Sequence, residues 1–181
     1  TDVARAAAAM ILTDDNFATI EAAVEEGRGI YDNIVKFITW TLPTNFGEGL
    51  VILAAIAAGT TLPITPLQIL WINMTTAVLL GLPLAFEPKE HDVMRRPPRP
   101  PAAPILDRVL IQRVLLLGTL MLAAAFGLFL LALERGAQLS EARSIAVNVF
   151  VMIETAFLFN CRSLSRPVWR VAPFSNPWVW A

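Results

Sequence analysis

Charge is scarce in this sequence: Asp, Glu, Lys and Arg make up 16% of its 181 residues, against about 25% in an average soluble domain. With 56% hydrophobic residues and a mean hydropathy of +0.60, a water-soluble fold has too little polar surface to cover its apolar side chains. The formal net charge of -1 leaves no basic footprint of the kind a nucleic-acid binder needs. One cysteine, Cys161, excludes an internal disulfide, and one histidine, His91, excludes a histidine-rich metal site. Any metal must therefore meet oxygen ligands. There is no phosphate-cradling glycine loop, no nucleophile motif and no Cys/His metal spacing, so this chain has no catalytic machinery of its own. The opening residues lack the basic, apolar, small-residue order of a signal peptide and carry no initiating Met, and the closing NPWVWA resembles the start of another apolar span. The expectation is a fragment of a longer chain.

What the sequence has in place of charge is long apolar runs. Four stretches meet the need for about 20 apolar residues per spanning helix, at 34–58, 67–86, 109–133 and 145–164. The fold class read from them is an all-α membrane protein, a bundle of four transmembrane helices. Between the first two runs lies the uncharged turn GTTLPITP, whose Pro63 and Pro66 suit a tight helical hairpin. Cytoplasmic connections carry the excess of Lys and Arg. Here Lys89, Arg95, Arg96 and Arg99 follow the second run, and Arg162, Arg166 and Arg170 follow the fourth. Those two segments, 87–108 and 165–181, are placed in the cytoplasm together with the N-terminal residues, and the other two turns outside. Residues 1–28 read as soluble-domain sequence, with Asp15 or Asn16 as the cap of a helix starting near Phe17. Residues 29–58 follow with no strong breaker before Pro43, so one helix is expected to serve as stalk and first span. The loop EPKEHDVMRRPPRPPAAP favours extended backbone, as a stiff connector or a docking surface for a soluble domain.

A few polar residues interrupt the apolar runs. Glu48 lies more than a turn inside the first, where an ionised carboxylate costs several kcal/mol unless a cation, donor or water meets it; the alternative is a protonated acid hydrogen-bonded in the bundle. Asn45, three residues earlier, falls on the same side of a helix, and Pro43 removes a backbone donor nearby. Asn73 and Thr76 repeat the three-residue spacing in the second run, ahead of Gly81 and Pro83, which weaken the helix. An unwound span facing an acid is how transporters present oxygens to an ion at mid-membrane, although Asn and Thr also glue helices together. Glu154 lies within the fourth run, as a further cation or proton ligand or as a structural hydrogen-bonding group.

The segment TDVARAAAAMILTDDNFATIEAAVEEGRGIYDNIVKF resembles the end of the phosphorylation domain and the stalk of P-type cation-transporting ATPases of the calcium-pump and sodium/potassium-pump branch. TNFGEGL, PLQILWINMTT, AFEPKEHDVMRRPPR and VMIETAFLFNCRSLS continue in the family's order. The resemblance implies that residues 1–28 are the remnant of an α/β (HAD-like) domain and that the four spans are the family's fifth to eighth helices. It also implies a parent enzyme that uses ATP and Mg2+ in upstream domains, is phosphorylated on an aspartate and carries a cation, Ca2+ or a monovalent ion, across a bacterial plasma membrane. Glu48, Asn45, Asn73, Thr76 and Glu154 match ion ligands of that family. The partners implied are the lipid bilayer and the N-terminal part of the same chain, with no nucleic acid. In one place the pattern departs: Ala77 stands where calcium pumps of this branch carry an aspartate. Losing that negative charge lowers divalent affinity, so the site is expected to hold one ion where relatives hold two, or to favour a monovalent cation. The rivals from other classes are a self-contained passive channel or secondary carrier, and a structural anchor.

Overall fold

The computed structural model describes residues 2–8, 11–13, 16–100 and 102–180; Asp14 and Asp15, the latter read above as an alternative cap, lie outside the described residues. Among those described, every regular element is helical and there is no strand. A short helix α1 (Asp2–Ala7) precedes the long helix α2 (Phe17–Ala57). Asn16 caps α2, its Oδ1 accepting from the Ala18 amide at 3.0 Å. At 41 residues α2 is about 60 Å long and continues through Pro43. It ends at Gly59, whose φ of 63° permits two closing bonds, Gly59 N to the Ile56 carbonyl at 3.1 Å and Thr60 N to the Ala55 carbonyl at 3.0 Å.

The hairpin partner starts with α3 (Pro66–Thr76), where Thr65 and Gln68 form a reciprocal cap and Pro66 occupies the first turn. The span then widens into a π-helical turn over Ala77–Gly81 and tightens into a 3-10 turn over Leu82–Phe86. The third span is α4 (Arg108–Met121), a second π turn (Leu122–Phe126) and α5 (Gly127–Glu134). The last helix, α6 (Leu139–Cys161), begins ahead of the apolar run because Gln138 and Glu141 cap each other. Among the described residues three helices are long and apolar enough to cross a membrane, Pro66–Phe86, Arg108–Glu134 and Leu139–Cys161; α2 packs along them, most extensively on α4.

The pattern of burial on α2 is inverted relative to a soluble helix. Its buried stripe runs Gly29, Asp32, Lys36, Trp40, Thr44, Glu48, Val51, Ala55, a helical period that puts polar residues inside. Ile30, Ile34, Leu53 and Ile56 face outward. Lipid tails are as apolar as leucine, so helices here associate by close packing and internal polar contacts. Close approach is visible between α2 and α4. A Cβ on Gly47 would lie 2.6 Å from Met121 Sδ, and one on Gly118 would lie 2.5 Å from Phe46 Cδ1.

The two ends of the bundle differ in charge. At one end the 87–108 connection is strapped to α2: Arg28 donates to the carbonyls of Val93 (2.9 Å) and Arg96 (2.8 Å), Lys89 pairs with Glu25 and Glu26, and Arg96 pairs with Asp32. The Glu90 carboxyl is buried there, which alone raises its pKa. Hydrogen bonds from Ser163, the Leu164 amide and Ser165, with the Lys36 ammonium close by, outweigh burial and hold it below the usual carboxylate value. At the other end Arg143 Nε donates to the Leu62 carbonyl at 3.1 Å and ties the two uncharged or balanced turns together. This segregation of basic connections to one end is the one expected of a membrane bundle.

Candidate cation site

Two apolar clusters lie along the bundle axis. One contains Val51, Ile72, Leu117, Met121 and Phe150; the other contains Trp40, Leu84, Leu158 and Cys161. Three helices pass from one cluster to the other, and each carries a polar residue at the change: Glu48 between Trp40 and Val51, Thr76 between Ile72 and Leu84, Glu154 between Phe150 and Leu158. The result is a single polar layer inside an apolar bundle. Glu48, Thr76 and Glu154 are 3%, 6% and 2% exposed.

Within that layer the donors are too few for the acceptors. Asn73 Nδ2 donates to Glu48 Oε2 at 2.7 Å and to its own helix at the Ile69 carbonyl, 3.2 Å away. Thr76 Oγ1 donates to the Ile72 carbonyl at 2.9 Å and lies beside the Glu154 carboxyl. Glu48 Oε1 and Glu154 Oε2 are buried and have no hydrogen-bond partner. Buried polar atoms are normally satisfied, and an unpaired carboxylate oxygen in an apolar bundle is costly. Two such atoms in one layer describe a site with an unmet demand for positive charge, either a cation or protons.

Asn45 is placed differently from its neighbours. Its side chain is exposed and donates to the Thr41 carbonyl at 2.9 Å, so it is not brought to Glu48 here. Thr44, beside it, is buried and turns back to the carbonyls of Trp40 and Thr41 at 3.1 and 3.0 Å. Ala77 is also exposed, in a groove it lines with Ile34, Phe37 and Gly81. Asn148 and Asn160 face outward and bond to carbonyls of α6.

Two residues near the layer carry no expectation from the sequence. Thr41 Oγ1 is buried and unpartnered, two helical turns before Glu48 and on its face; the seven-residue spacing is the signal that finds it. Trp40 Nε1 donates to the Glu154 backbone carbonyl at 3.0 Å, and no local pattern announces a contact across 114 residues.

Comparison with known proteins points the same way. Residues 61–181 match the family described as cation transporting ATPase, C-terminus. The chain is 63% identical over 179 residues to a probable cation-transporting ATPase F of Mycobacterium tuberculosis, an alignment covering 99% of this chain and 20% of that protein. It is 41% identical over 177 residues to a calcium-transporting ATPase of Bacillus subtilis, covering 97% of this chain and 20% of that protein. With the cation-transporting ATPase pma1 of Synechocystis it shares 40% over 166 residues, covering 92% and 18%. The chain thus spans about a fifth of the length of the relatives it matches. An all-helical bundle, a buried carboxylate layer and these matches together make the chain a member of the P-type cation-transporting ATPase family, corresponding to its C-terminal membrane region.

Proposed function

We propose that this chain forms the ion-translocating part of an ATP-driven cation pump and that the transported cation binds in the layer of Glu48, Asn73, Thr76 and Glu154. The observation that carries this reading is the pair of buried, unpartnered oxygens, Glu48 Oε1 and Glu154 Oε2, contributed by two helices. They supply hard oxygen ligands, and two carboxylates balance one divalent ion. A Ca2+ ion takes about 6–8 oxygens, more than this layer offers. The remaining ligands come from the rest of the parent chain and from Asn45, exposed here, which joins the site when that part packs against it.

Calcium is the leading substrate because relatives carry that name in their descriptions. Ala77 supplies no carboxylate, which supports one divalent ion or a monovalent cation in place of two divalent ions. Residues 1–28 are read as the end of a HAD-like phosphorylation domain, with ATP and Mg2+ handled upstream. Residues 29–58 serve as stalk and first span, and the assembly sits in a bacterial plasma membrane. The test is a cation panel (Ca2+, Mn2+, Na+, K+) on the ATPase activity of the purified full-length protein. Stimulation by one of these ions, lost in Glu154→Gln, supports the pump. Cation flux through vesicles without ATP supports the passive channel or carrier and overturns it.

A further inference from the structure

The stretch that follows the proposed ligands Asn73 and Thr76 is not held by ordinary helical bonding. From Ala77 to Gly81 the span is a π turn and from Leu82 to Phe86 a 3-10 turn, and carbonyls at its end are turned toward side chains. Asn176 Nδ2 donates to the Pro83 carbonyl at 2.8 Å. Asn33 Nδ2 donates to the carbonyls of Ala85 at 3.0 Å and Glu87 at 2.9 Å. One amide comes from α2, the other from the segment after α6.

Both amides are themselves held. Lys36 Nζ donates to Asn33 Oδ1 at 3.0 Å, which orients that amide with its NH2 toward the second span. Asn176 is fully buried and also donates to Glu87 Oε1 at 3.0 Å. The same oxygen accepts from Arg162 Nε at 2.7 Å, and the other Arg162 nitrogens grip the Pro173 carbonyl (2.9 Å) and Ser175 Oγ (2.8 Å). Midway along the stretch, Gly81 lies flat on α2. A Cβ there would come 2.6 Å from Phe37 Cε2 and 3.0 Å from Trp40 Cζ3, so the joint has no slack toward the stalk.

We infer that Asn33 and Asn176 are positioning residues: they clamp the unwound half of the second span from two sides and so keep Asn73 and Thr76 in register with Glu48 and Glu154. The inference rests on the cation-site reading above. Thr76 is bonded directly to the first residue of the π turn, so any shift of the stretch reaches the ligands through the chain itself. The role requires a donor. Aspartate has the volume of asparagine but, ionised, offers only acceptors, and at position 176 it would face Glu87.

That difference separates positioning from packing. In the purified full-length ATPase, Asn33→Asp and Asn176→Asp are compared with wild type, with the control Asn160→Asp on the outward face of α6, and with Glu48→Gln. Amide hydrogen exchange reads the stretch without any cation. Each lost hydrogen bond is worth about a factor of five, so protection over 77–87 falls about 5- to 30-fold in either clamp variant and is unchanged in the control. The half-saturating Ca2+ concentration for phosphorylation rises by a similar factor, with the maximal level retained. Asn33 is only half-buried, so Asn33→Asp carries the test if Asn176→Asp does not fold. Wild-type protection over 77–87 in Asn33→Asp overturns the clamp. Unchanged Ca2+ half-saturation alongside a lost Ca2+ response in Glu48→Gln overturns its link to the ligands. A normal Ca2+ response in Glu48→Gln overturns the site reading instead, and with it the ligand role, while exchange still decides whether the stretch is clamped.

Discussion

Replacing Gly47 by alanine puts a methyl carbon 2.6 Å from Met121 Sδ and 2.9 Å from Met121 Cβ. The second atom is fixed to the α4 backbone, so rotating the methionine side chain cannot relieve the overlap, and α2 and α4 must separate. Overpacking of this kind costs about 1–3 kcal/mol. Against it stands the helix-propensity gain of Gly→Ala, about 0.8–1 kcal/mol. The net loss for Gly47→Ala is therefore about 0–2 kcal/mol, too small to interpret alone. A double-mutant cycle isolates the contact, because the propensity gain is common to both backgrounds and cancels. In Met121→Gly both overlapping atoms, Sδ and Cβ, are gone, and Gly47→Ala becomes neutral or stabilising there. The expected coupling is about 1–3 kcal/mol, read as a non-additive shift in the apparent melting temperature. Thermal denaturation of the full-length protein in detergent, followed by size-exclusion chromatography, measures it. Equal shifts for Gly47→Ala in the two backgrounds would refute the claim that these helices meet at a glycine notch.

Other expectations follow from the basic end of the bundle. Arg162 and Glu87 are both about 2% exposed and pair at 2.7 Å. Arg162→Met strands a buried carboxylate and destabilises by about 3–5 kcal/mol, whereas replacing both partners with apolar residues recovers most of that loss; melting temperatures of the single and double variants decide. The Glu90 carboxyl is held below its usual value, so its contribution to stability is complete above the unfolded value of about 4.3. That contribution is lost as pH falls through the lower folded value; Glu90→Gln flattens the acid limb of a stability–pH curve, and an unchanged limb argues against the assignment. Trp40→Phe removes the donor to the Glu154 carbonyl and costs about 1 kcal/mol in stability. A melting temperature equal to wild type would contradict that bond.

The helical, membrane-spanning character was legible because apolar runs of bilayer length leave few alternatives, and the scarcity of charge says the same. Prolines and glycines marked the second span as weak, but the change of helix type begins at Ala77, ahead of Gly81 and Pro83. The contacts that hold the far end of the stretch are not written locally: Asn33 and Asn176 lie 52 and 93 residues from their partners Ala85 and Pro83. Spacing placed Asn45 on the face of Glu48, yet three residues rotate a helix about 300° and leave an offset of about 60°, and the Asn45 amide turns to the Thr41 carbonyl. Trp40 has no local signal, because its partner on α6 lies 114 residues away. HAD-like structure in residues 1–28 has no counterpart in the described residues, which carry only α1 and the start of α2 there.

The most direct measurement is phosphorylation of the full-length protein by ATP as a function of cation concentration, in wild type and in Glu48→Gln. Glutamine keeps the shape and the Asn73 contact but removes the charge from an oxygen that has no partner. Cation-dependent phosphorylation is expected to be lost, or shifted at least about 100-fold in concentration, with the protein folded and in the membrane. A wild-type concentration dependence in Glu48→Gln would contradict the ligand role of Glu48.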